Sequence, residues 1–134
     1  MFASSFMYSP DSNYYIDMDS YGLEIAEGEN NKLEYFGREV DIKVYLVKVS
    51  EADTFAFELM MCGTSCNPQE AVWENEYTID ILGVSENQVD EETYPTIWKF
   101  NLKTHSFTKY VSNQKVMDNI GSYFEEKRLG RILN

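Results

Sequence analysis

Residues 40–61, VDIKVYLVKV-SEAD-TFAFELMM, alternate apolar and polar side chains on either side of a short polar turn, and this pattern predicts a β-hairpin. Setting Val49 against Thr54 across Ser50-Glu51-Ala52-Asp53 places Ile42 opposite Met61, Val44 opposite Leu59 and Leu46 opposite Phe57 on one apolar face. Lys43 with Met60, Tyr45 with Glu58 and Val47 with Ala56 make the other face, a mixed surface suited to water or a second layer. A slip of one residue would exchange the two faces, so burial fixes the register.

Downstream, Thr96 to Leu102 and Phe107 to Val111 form a second hairpin turning at Lys103-Thr104-His105-Ser106. Leu102 opposite Phe107 gathers Trp98, Phe100, Leu102, Phe107 and Val111 on one face. Between the hairpins, residues 62–68 (CGTSCNP) read as a turn that ends the preceding strand. Gln69 to Glu76 is either one or two helical turns with Trp73 inward or an extended lead into a strand from Tyr77 to Val84. Ser85 to Pro95 is an exposed acidic connection. From Ser112, a helix N-cap, to Arg128 the period changes, with Val116, Met117, Ile120, Tyr123 and Phe124 on one helical stripe. Lys127, Arg128 and Gly130 suit its C-terminus.

Upstream, residues 1–12 are Ser-rich and read as a flexible start, leaving 13–134 as a single domain. Asn13 to Met18 and Tyr21 to Ile25 read as a hairpin around Asp19-Ser20, followed by a polar loop and a short strand from Leu33 to Phe36. The predicted fold is α+β: an antiparallel sheet of six to seven strands in a meander, with one C-terminal helix packed on one face.

The net charge of -12 is unevenly spread. No Lys or Arg lies between Lys48 and Lys99, an interval holding eleven acids. From Lys99 onward seven cations meet three acids, so this part carries +4 and the first 98 residues carry -16. Such a field repels nucleic acid and anionic membrane and draws in cationic partners. No apolar run is long enough to span a membrane. The first ten residues carry no cation and do not read as a secretory signal, which places the protein in the cytoplasm, the alternative being export with the leader removed.

No catalytic or metal motif stands out. Asp17-Met18-Asp19-Ser20-Tyr21-Gly22 has the opening spacing of a calcium loop, but Tyr21 and Gly28 occupy positions that need oxygen ligands, so a turn is expected instead. Cys62 and Cys66 are expected as reduced cysteines in a cytoplasmic protein, the alternative being a local disulfide in an exported one, and with a single histidine, His105, a four-ligand zinc site is not expected. His105 sits at a turn tip, no Gly-x-Ser-x-Gly elbow is present, and no cofactor is implied. The candidate partner-binding residues are Glu70, Trp73, Glu74, Glu76, Glu86, Asp90, Glu91, Glu92 and Tyr94, because aromatic anchors beside carboxylates are what a basic protein surface pairs with. The expected function is therefore a small acidic binding or inhibitor protein, either an immunity-type protein against a nuclease toxin or a nucleic-acid mimic. The alternatives are an envelope or secreted accessory domain with a local disulfide, and an enzyme without a familiar motif.

Overall fold

The computed structural model describes residues 3–116 and 123–133. Among the described residues, ten strands form three antiparallel sheets rather than one meander. The first sheet has the order β1 (Met7–Tyr8), β2 (Tyr14–Asp17), β5 (Ile42–Lys48), β6 (Phe55–Cys62). The second has the order β10 (Ser106–Val111), β9 (Thr93–Asn101), β8 (Thr78–Glu86), β7 (Cys66–Asn75). A separate ribbon pairs β3 (Leu23–Glu27) with β4 (Leu33–Arg38). Ile16, Met18, Val44 and Leu46 of the first sheet region share one buried cluster with Ala71, Ile79, Ile81 and Trp98 of the second. The sheets thus pack face to face, each hiding its apolar side against the other.

The central hairpin keeps its predicted register from Tyr45 to Lys48, with Leu46 opposite Phe57. A bulge then intervenes: Tyr45 pairs with Glu58 but Val44 with Met60, leaving Leu59 without an opposite residue. Beyond it Met61 turns outward and Cys62 turns in beside Ile42, so Ile42 faces Cys62 and Val44 faces Met60, not the predicted partners. The outer face is partly covered by residues 3–12, set apart in the sequence as a flexible start. Phe6 stacks on Tyr15 at 4.3 Å, and Val47, paired with Tyr15, is buried.

Three further expectations are corrected. Strands Tyr14–Asp17 and Leu23–Glu27 do not pair with each other. Asp17 Oδ1 accepts the backbone N–H groups of Asp19 and Ser20, and this bend carries the chain out of the first sheet into the ribbon, while β2 takes β5 as its partner. Residues 66–75 form strand β7, so the turn expected over 62–68 ends at Ser65 and, of the two readings of Gln69 to Glu76, the extended one holds, as a strand separate from β8; it is an outer strand with a register shift at Pro68, a place where the ring's missing N–H is tolerated. In the second hairpin Phe107 faces Phe100 rather than Leu102, a shift of two that preserves which side chains share a face.

The C-terminal helix is placed differently than predicted. Residues 112–116 are not helical: Ser112 Oγ accepts the N–H of Gln114, and Val116 donates to the carbonyl of Thr93, the first residue of β9. Met117 and Ile120 lie outside the described residues. A π-helical turn, Phe124–Arg128, runs into α1, Leu129–Leu133, so Gly130 is inside the helix and does not cap it. Among the described residues, no helix is long and apolar enough to cross a membrane.

Cys62 and Cys66 form a disulfide, which overturns the expectation of two reduced thiols. The bulge at Leu59 explains it, because it turns Cys62 inward at the end of β6, where the chain crosses from one sheet to the other. Alkylation without reductant should add no label, and reduction should lower stability by about 2 kcal/mol, the value expected for so short a loop. Two labelled thiols in the untreated protein would contradict the bond.

Candidate functional site

The nine residues of β8 separate the predicted interface into two parts, about 26 Å apart at roughly 3.3 Å per residue. Glu74 and Glu76 flank the turn from β7 into β8, where the Lys103 ammonium also sits over the Tyr77 ring at 4.2 Å. Glu86, Asp90, Glu91, Glu92 and Tyr94 cluster at the other end, where the Tyr94 hydroxyl donates to Asp90 at 2.6 Å. Glu70 belongs to neither group: it accepts from the Tyr123 hydroxyl at 3.2 Å and faces Arg131 at 3.5 Å. Trp73 points inward, packs against the core and donates its indole N–H to the Met7 carbonyl at 2.9 Å. The nine residues do not converge on one surface.

The cationic C-terminal part folds back over the acidic interval. Lys99 pairs with Glu74 and lies 3.6 Å from Asp80, Lys115 pairs with Glu92 at 2.9 Å, and Arg131 reaches Glu70; from the other side Lys43 holds Glu58 at 3.3 Å. Among the described residues, Glu51, Asp53, Glu76, Glu86, Asp90 and Glu91 have no cation within ion-pair reach. Within the acidic interval these six are the carboxylates left without an ion pair.

The two carboxyl groups beside Lys99 shift in opposite directions. Its hydrogen bond holds Glu74 below the usual carboxylate range, whereas burial and then the adjacent Glu74 raise Asp80. The signs oppose: Glu74 contributes stability above its ordinary pKa that is lost as pH falls through its lower folded value. The ionised form of Asp80 is disfavoured by folding, and that penalty is relieved as pH falls. A carboxyl-carbon NMR titration of Lys99→Met should show Glu74 moving upward; an unmoved Glu74 would mean that Lys99 does not hold it.

No protein family, curated protein or solved structure matches this chain. Among the described residues, no group of three or more His, Cys, Asp or Glu side chains is placed to hold a metal ion. Asp17 is engaged by backbone N–H groups and Asp19 by Arg128. His105 occupies a left-handed position, φ 54°, in the β9–β10 turn.

The sequence reading missed one feature, an apolar cleft of about 410 Å³ between the two sheets. Leu46, Phe57 and Leu59 line it from the first sheet and Phe100, Leu102 and Phe107 from the second. Phe57 and Phe107 are 53% and 56% exposed, so the sheets do not close over them. Alternation marked most of these side chains as core-facing, but it does not reveal where two faces diverge. The volume lies within the range of ligand-binding pockets, and the lining is mostly hydrocarbon.

Proposed function

We propose that this protein is a non-catalytic acidic binding module that occupies a basic protein surface, as an immunity-type inhibitor of a nuclease toxin or as a nucleic-acid mimic. The observation that carries this reading is the set of uncompensated carboxylates, Glu76 at one end of β8 and Glu86, Asp90 and Glu91 at the other. Their separation suits a broad basic surface better than a point contact. Exposed carboxylates of this kind steer encounter, and so act chiefly on association rate. With a partner captured from the source cell, association should slow at least tenfold as salt rises from 20 to 300 mM, within the range of electrostatic steering. Glu76→Lys with Glu86→Lys and Glu91→Lys should slow it further while leaving thermal unfolding almost unchanged. Rates indifferent to both salt and charge reversal would defeat the proposal.

The disulfide favours a second reading, an exported or envelope accessory domain, since such bonds persist in oxidising compartments. The two readings are compatible. Cell fractionation decides the compartment: the chain found only in the reducing cytoplasm would remove the second.

A further inference from the structure

We infer that the open flank between β6 and β10 is a strand-acceptor site, which takes one extended segment of a cationic partner protein and seats its alternate apolar side chains in the cleft. The inference rests on the proposed basic partner and specifies where and how that partner is held.

The two sheets expose four outer strands: β1 and β6 in the first, β7 and β10 in the second. On one flank β1 meets β7 through the Trp73 bond to Met7. On the other, Phe57 and Leu59 of β6 stand across the cleft from Phe107 of β10, with the intervening space open. An outer strand leaves a row of N–H and C=O groups unpaired, and proteins usually blunt such edges with Pro, Lys or a covering segment. Strand β6 contains no Pro and no Lys, and its one charged residue, Glu58, is already held by Lys43 at 3.3 Å. Phe55 and Phe57, two residues apart and therefore on one side of the strand, are each 53% exposed. An added strand would satisfy the unpaired backbone of β6 and cover these rings, the mode of recognition in which the main chain supplies affinity and alternate side chains supply selectivity.

Charge identifies the occupant. A second copy of this chain would bring another net charge of -12 to the same flank, which opposes self-pairing. The loop that feeds β6 carries Glu51 and Asp53, both exposed and without an ion-pair partner among the described residues. A segment running antiparallel to β6, the slightly stronger ladder, brings its C-terminal end to that loop. The occupant is thus an alternating apolar segment followed by Lys or Arg.

Three synthetic peptides test this by NMR titration of the ¹⁵N-labelled protein: acetyl-TVTVTVTKRK-amide, its acidic twin acetyl-TVTVTVTEDE-amide, and the reversed acetyl-KRKTVTVTVT-amide. The first should shift the amides of Phe55 to Leu59 and give contacts from its valine methyls to the Phe57 and Phe107 rings. It should bind at least tenfold more tightly than either of the others. Phe57→Lys should weaken it at least tenfold, with the fold checked by the unchanged spectrum of β8 and β9. Shifts confined to Glu76 and residues 86–91 would overturn the strand-acceptor site while leaving the cationic-partner reading intact. Equal binding of the acidic twin at β6 would overturn the choice of occupant, as would a dimer in sedimentation that Phe57→Lys dissolves.

Discussion

Replacing Asp19 with alanine should lower the stability of this protein by about 3–5 kcal/mol, the loss typical of removing one partner from a buried ion pair. Arg128 and Asp19 form such a pair, and both side chains are only 1% exposed. Arg128 also donates to the Gln69 carbonyl at 2.7 Å and lies over the Phe124 ring at 5.2 Å. Burial pulls its pKa down to about 10, which still leaves it charged at neutral pH. Without Asp19 that charge stays in the interior with the Gln69 carbonyl, the Met18 sulfur, the Phe124 ring and the field of Asp17 in place of a direct counter-ion. Asp19→Leu combined with Arg128→Met should recover most of the loss, because an apolar pair of similar volume avoids the desolvation of two ions. Urea unfolding of the single and double variants reads the difference. A loss below about 1 kcal/mol for Asp19→Ala, a value typical of exposed pairs, would show that the pair is open to solvent.

The second large effect is a contrast across one rung. Leu46 and Phe57 face each other in the β5–β6 ladder, but Leu46 is 5% exposed and Phe57 53%. Leu46→Ala should therefore lose about 2–5 kcal/mol, whereas Phe57→Ala should lose less than about 1.5, since most of its ring is never removed from water. Tyr45→Ala, on the opposite face and half-buried, should also be mild. Equal losses at Leu46 and Phe57 would mean that the cleft is closed in solution.

Much of the strand content was legible because β5, β6, β8, β9 and β10 alternate over five or more residues, a signal that depends only on which side each residue faces. Pairing was legible where a short turn enforced it and failed where it did not: Asp19-Ser20 resembles a hairpin turn, yet β2 finds its partner in β5, far along the chain. Strand β7 was obscured by Pro68 and the cysteines, whose composition imitates a loop. The single-residue bulge at Leu59 has no marker in the sequence, and without it the inward turn of Cys62 could not be foreseen. Arg128 followed the same logic of concealment. A cation near a helix C-terminus reads as a solvated dipole partner, and its burial depends on a carboxylate 109 residues earlier. At the site, acidity was legible as a count, but its division between the ends of β8 and its compensation by Lys99, Lys115 and Arg131 arise only from the three-dimensional pairing.

That separation of 109 residues also sets an order of events during synthesis. A ribosome adds about 5–20 residues per second, so Asp19 exists for roughly 5–20 s before its counter-ion is made. Until then a lone carboxylate occupies a position that the finished core must seal, and the nascent first sheet, although complete in sequence by Cys62, has reason to remain ajar. Sealing of the core at Asp19 thus waits on one guanidinium, that of Arg128.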